Sequence, residues 1–267
     1  MQAAVDRWGA KWSAFWFAEG SPQALAAFRI VFAVALLEDL RNSAGLCRYA
    51  IEGGYHWPYL SGWPLLSPQQ FYALFAAQAG LGFLLLVGLR TRLAAAGLFL
   101  LQGWVLWADR LNFRNHGYLF WMICGILAVS PAGSALALHR RPSASVRLTA
   151  QRLIAAEVTI VYLWAAIQKV HPAYLSGRVL GEILGQPDQA LWLQPAAWAV
   201  IAVELALPVA LWVPRTREVA ALVGLAMHAA FALTLNIYGF SLAMVGSYVL
   251  FLAPDGHLPF ARKSTPS

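Results

Sequence analysis

"QRLIAAEVTIVYLWAAIQKVHPAY", residues 151 to 174, is apolar over most of its length and then places Gln168, Lys169 and His171 at one end, just before a proline. At 1.5 Å rise per residue, about 20 such residues cross a hydrocarbon core about 30 Å thick. The segment therefore reads as a membrane-spanning helix with an amine at its rim. Seven further segments have the same character, giving candidate spans at 24–41, 70–88, 92–108, 117–138, 151–169, 195–213, 218–236 and 239–254. "GLRTR", "PAGSA", "HRRPSAS", "VPRTRE" and "IYGF" mark breaks between them, where Gly, Pro and charge interrupt the apolar runs.

Composition agrees with that reading. The chain of 267 residues is 60% hydrophobic and only 12% charged, about half the charged fraction of soluble domains. The expected fold is an all-α polytopic membrane bundle of about eight transmembrane helices, forming a single domain over residues 1–267. The N-terminus lacks a short apolar core followed by a small-residue cleavage site, so no cleaved signal peptide is read. Trp8, Trp12, Phe15 and Trp16 recur there at helical spacing beside Arg7 and Lys11, the pattern of an amphipathic helix lying in the membrane interface. Cys47, in a loop, and Cys124, inside an apolar run, suggest no disulfide or thiolate metal site. The net charge of +7 is spread among loops rather than gathered on one face, which argues against a nucleic-acid partner.

The charges report topology instead. With the N-terminus inside, the inner segments hold Arg7, Lys11, Arg90, Arg92, Arg140, Arg141, Arg147, Arg152, Arg215, Arg217, Arg262 and Lys263. The outer ones hold only Arg41, Arg48, Arg110, Arg114, Lys169 and Arg178. Cytoplasmic segments carry the excess of Lys and Arg, so both termini are expected in the cytoplasm, most simply of a bacterial inner membrane. The long segments 42–69 and 170–194 then face the exterior, with Tyr55, Trp57, Tyr59, Trp63, Tyr174 and Trp192 suited to the interface.

A charged residue at a span centre costs roughly 2.5–3.5 kcal/mol on insertion and so calls for a partner, a wet cavity or a task. Arg29, Glu38, Asp39, Glu157, Lys169, Glu204 and His228 lie in spans or at their ends. Arg29, Glu157 and Glu204 are read as structural intramembrane charges, the first two by snorkelling or ion pairing near the cytoplasmic ends. For Glu204, just ahead of Pro208, a functional role stays open. On the outer side, "RLNFRNHGYLFW" brings Asn115 and His116 to the start of the fourth span, at the depth of Lys169. His228 lies about 15 Å into its span and can floor the same cavity. A lysine kept poor in water can exist as a neutral amine and act as general base. Asn115 or His116 would then hydrogen-bond an oxyanion. A quinol headgroup, apolar enough to arrive from lipid and acidic enough to lose a proton, suits such a site.

Five segments in order resemble the vitamin K-dependent gamma-carboxylase superfamily, whose membrane module is also termed the HTTM (horizontally transferred transmembrane) domain. They are "FRIVFAVALLEDL", "VGLRTRLAA", "NFRNHGYLF", "IVYLWAAIQKVHPAYLSG", and "MHAAF" followed by "GFSLAMVGSYVLFLAP". The resemblance implies Lys169 as the base that deprotonates vitamin K hydroquinone, with Asn115 and His116 as catalytic partners at the headgroup. His228, Tyr118, Tyr162 and Gln168 are the candidate quinone-binding residues. It also implies dioxygen as co-substrate, an epoxide as product, and carbon dioxide with a secreted Glu-containing peptide where carboxylation follows. No metal is expected. In the carboxylases a large extracytoplasmic domain follows the membrane module, whereas "DGHLPFARKSTPS" follows the last span here; Gln168 and Arg114 stand where the family has Lys and Asn. Quinol chemistry is therefore the firmer expectation than carboxylation. The rival readings are a non-catalytic HTTM-like immunity or assembly factor and a DoxX-like subunit of a quinone-linked respiratory complex.

Overall fold

The computed structural model describes residues 2–52, 57–62, 66–110, 113–138, 143–186 and 191–258, with side chains 2–5 and 46–52 left aside. Tyr55, Trp63, Arg140, Arg141, Arg262 and Lys263 lie outside the described residues. The fold is all-α. Its helices are α1 (Gln2–Trp16), α2 (Gln23–Glu52), α3 (Pro68–Val87), α4 (Thr91–Ala108), α5 (Asn115–Ala128), α6 (Thr149–Gln168), α7 (Pro172–Leu175), α8 (Arg178–Leu184), α9 (Leu193–Trp212), α10 (Arg217–Leu235) and α11 (Tyr238–Leu252). Two-residue strands β1 (Glu19–Gly20) and β2 (Val146–Arg147) pair antiparallel, tying the entry of α2 to the entry of α6.

Each of the eight expected spans overlaps a helix. Of these, α3, α4, α6, α9 and α10 are long and apolar enough by length and composition to cross a membrane, and α11 is a shorter apolar helix. The chain is thus a membrane-embedded helical protein. Its sequence sets the boundaries. Ser67 and Gln70 close a capping box ahead of Pro68, and Gly88, with φ +77, turns the chain out of α3 while its N–H bonds the carbonyls of Leu84 and Leu85. At the far end of α6, His171 is extended ahead of Pro172, as the proline ring demands of its predecessor. That stop leaves Lys169 at the C-cap of α6.

The expected fourth span, 117–138, is shorter than its hydropathy suggests. α5 ends at Ala128, and residues 129–138 form a turn around Pro131 and Gly133. The carbonyls freed by that turn are taken by Arg29: its Nη1 donates to Ala132 O at 3.0 Å and to Ala135 O at 3.5 Å, and its Nη2 donates to Leu136 O. Arg29 is fully buried. It does not snorkel and forms no ion pair among the described residues; it serves as an internal cap for backbone that cannot bond itself. Cys47, expected in a loop, lies within α2, which runs on to Glu52. The amphipathic α1 leaves Trp8 and Trp12 exposed.

α11 is the central element, packed against α2, α6, α9 and α10. Its glycines permit this. A Cβ on Gly239 would press on Ala35 O and Asp39 N, and one on Gly246 on Val31. The main core runs through Phe28, Phe32 and Leu36 of α2, Phe120 and Ile123 of α5, Ile154 of α6 and Met244 of α11. Close approach of α2 to α11 brings Asp39 to the end of the bundle where α5 begins and α6 ends.

Candidate functional site

A cavity of about 690 Å³ opens at that end, between the C-terminal halves of α6 and α10, the N-terminal halves of α5 and α11, α9, and the short helix α8. Most of its lining is apolar, and a small set of polar side chains projects into it. This is the usual make-up of a site for a small apolar ligand. Asn115, His116, Tyr118, Tyr162, Gln168, Lys169 and His228 all line it, as do Glu157 and Glu204. Arg29 lies elsewhere, under the 129–138 turn.

Lys169 has a partner that linear reading does not supply. Its Nζ lies 2.9 Å from both carboxylate oxygens of Glu204 and donates to Ala165 O at 3.2 Å. The lysine side chain is 24% exposed and the glutamate 3%. The expected isolated amine is therefore one half of an ion pair, and Glu204 belongs to the cavity rather than to helix packing alone. Two features of α9 prepare Glu204 for this. It lies mid-helix, and Pro208, four residues on, has no N–H to give its carbonyl. Tyr174, held by α7, brings its ring to 6.0 Å from Nζ, within the range of a cation–π contact. Burial first, and the Glu204 charge second, push the Tyr174 phenol up to about 12, so it faces the pair as a neutral hydroxyl.

His116 is anchored separately. Its Nε2 lies 3.4 Å from Asp39 Oδ1, while Arg114 Nη2 reaches Asp39 Oδ2 at 3.4 Å and donates to Ser43 Oγ at 2.6 Å. A carboxylate held from one side by Arg114 thus lies within ion-pair distance of the imidazole on the other. Asn115 is exposed at the first position of α5, beside it. Lys169 and His116 share the cavity but face different carboxylates, Glu204 and Asp39.

The floor is a hydrogen-bonded chain. Tyr162 Oη lies 2.7 Å from His228 Nε2 and 2.6 Å from Tyr248 Oη. Phe240 stands between the two histidines, its ring 6.0 Å from that of His116 and 5.8 Å from that of His228. His228 Nδ1 is buried without a hydrogen-bond partner among the described residues. Among the described residues no group of three or more His, Cys, Asp or Glu side chains is placed to hold a metal ion.

Sequence reasoning noted Asp39 and Tyr174 without placing them at the site, missed Phe240 and Tyr248, and did not join Glu204 to Lys169. For Asp39 a signal existed, an acidic residue late in the first span with Arg114 and His116 at matching depth. Tyr174 and Phe240 carry no such mark, since aromatics crowd every span end in this chain. No solved structure matches the chain. The HTTM domain family model matches residues 17–256, which takes in every helix from α2 to α11 and every residue of the cavity, and the chain belongs to the HTTM domain family.

Proposed function

We propose that this chain is a membrane enzyme of the carboxylase-related kind, in which the Lys169–Glu204 pair takes the hydroxyl proton of a lipid-soluble quinol of the vitamin K hydroquinone type. One observation carries the reading: an amine and a carboxylate, 2.9 Å apart, on the wall of a largely apolar cavity of about 690 Å³. An ion pair in such a place is poor material for stability alone, because desolvation offsets most of its attraction. It is good material for moving a proton.

The pair is neutral overall before the reaction. When the headgroup O–H breaks, the proton passes to the pair and the bonding electrons stay on the headgroup oxygen. The pair then carries one positive charge, an ammonium beside a carboxylic acid, against the new negative charge. A low-dielectric wall strengthens that attraction. His116, beside Asp39, and Asn115 are hydrogen-bonding groups for the headgroup, and Tyr162 and His228 give the floor a polar point. The quinol supplies an electron-rich ring that dioxygen oxidises to the epoxide. Both the excess of Lys and Arg on the opposite side and the rim of aromatics support a site that faces the exterior.

The test is oxidation of reduced vitamin K by the purified chain in lipid nanodiscs, followed by measurement of epoxide. Epoxide formation that is lost in Lys169→Ala and kept in the exposed control Arg215→Ala is the expected result. Equal yield from both variants would remove Lys169 from the chemistry. Fixation of labelled bicarbonate into a Glu-containing peptide decides whether carboxylation follows.

A further inference from the structure

A second polar point lies in the same cavity and is used by none of these steps. Glu157 is mid-helix in α6, only 9% exposed, and its Oε1 is buried with no hydrogen-bond partner among the described residues. The ion pairing expected for it from the sequence is not found among the described residues. A buried carboxyl without a partner inside a membrane span calls for a ligand or a task.

Its neighbours indicate which. Glu157, Ile160, Trp164 and Gln168 follow at helical spacings of three and four, so they form one stripe along α6, and all four line the cavity. Ile160 and Trp164 are 57% and 55% exposed, so this wall is open at the side of the bundle, where lipid would lie. Tyr118 of α5 lines the same cavity. The distance to the first site matters as well. Lys169 Nζ sits against the carbonyl of Ala165, eight residues from Glu157, about 12 Å by helical rise. That exceeds the separation of the two oxygens of a single quinol ring, so one headgroup cannot serve both points at once.

We propose that Glu157 and Tyr118 form a second headgroup station on the lipid-facing side of the cavity. There the hydroxyl or carbonyl oxygen of a lipid-soluble ring compound hydrogen-bonds on its way between the bilayer and the Lys169–Glu204 pair. The proposal rests on the reading of the cavity as a quinol site and adds its route of entry.

Dicyclohexylcarbodiimide, which reacts with carboxyl groups in apolar surroundings, provides the test on the full chain in lipid nanodiscs, with menadione as competing ligand and modified peptides mapped by mass spectrometry. Glu157 is modified in the wild type. Menadione at about ten times its dissociation constant lowers that modification about tenfold, and does so equally in Lys169→Ala. Absence of modification, modification that menadione does not reduce, or protection lost in Lys169→Ala would each overturn the station. Menadione quenching of tryptophan fluorescence separates the two levels: quenching without protection of Glu157 sinks the station and spares the quinol reading, whereas no quenching sinks both.

Discussion

Replacing Lys169 by Met deletes the ammonium while keeping much of the side-chain volume, and leaves Glu204 with its side chain 3% exposed and no cation against it. Removing one partner of a buried pair costs about 3–5 kcal/mol, whereas replacing both by apolar groups is often neutral or better. Lys169 keeps a 24% exposed side chain, so part of the attraction is screened and the lower end, about 3 kcal/mol, is expected for the single change. The double variant Lys169→Met with Glu204→Leu should recover most of that loss. The two single changes then couple by about 2–3 kcal/mol, at the upper end of what contacting residues show. Reversible unfolding in detergent, followed by circular dichroism across all four proteins of the cycle, measures the coupling. Single losses that simply add in the double variant would refute the pairing, whatever the enzyme assay gives.

Three further outcomes follow from the same geometry. Arg29→Leu strands the carbonyls of Ala132, Ala135 and Leu136 in a buried turn; each orphaned group costs about 1–3 kcal/mol, so the variant is expected to fall below the detection limit in membranes, as an immunoblot of the membrane fraction would read. Tyr162→Phe removes the hydroxyl shared by His228 and Tyr248 and should lower unfolding stability by about 1–3 kcal/mol, with an unchanged cost in a Tyr248→Phe background arguing against the chain. Asp39→Asn keeps the shape but takes the charge from between His116 and Arg114; it should cut the epoxide yield by about 10²-fold or more while leaving membrane levels near wild type, and wild-type turnover would show that His116 needs no orienting carboxylate.

Helix positions were legible because a run of about 20 apolar residues has few other uses in a chain with so little charge. The end of α5 was not, since "VSPAGSALAL" stays apolar past Ala128 and only the destination of Arg29 reveals a turn there. Alternation of spans was enough to bring Asn115, His116, Lys169 and His228 to one end of the bundle. The Lys169–Glu204 pair escaped the same counting for a physical reason. Glu204 lies eleven residues into α9, about 16 Å by helical rise, while Lys169 caps α6. The lysine meets it by folding back toward Ala165 O, a reach that sequence distance does not encode. Glu157 was placed near an inner rim; it is the ninth residue of α6, which begins at Thr149, and it lines the cavity.

The most direct measurement is the yield of epoxide from reduced vitamin K and dioxygen by the wild type, Lys169→Ala and Glu204→Gln, at equal amounts of folded protein in nanodiscs. Loss of product in both variants is predicted, because the proton acceptor is the pair. Wild-type yield from either variant, or no product from any of the three, would contradict it.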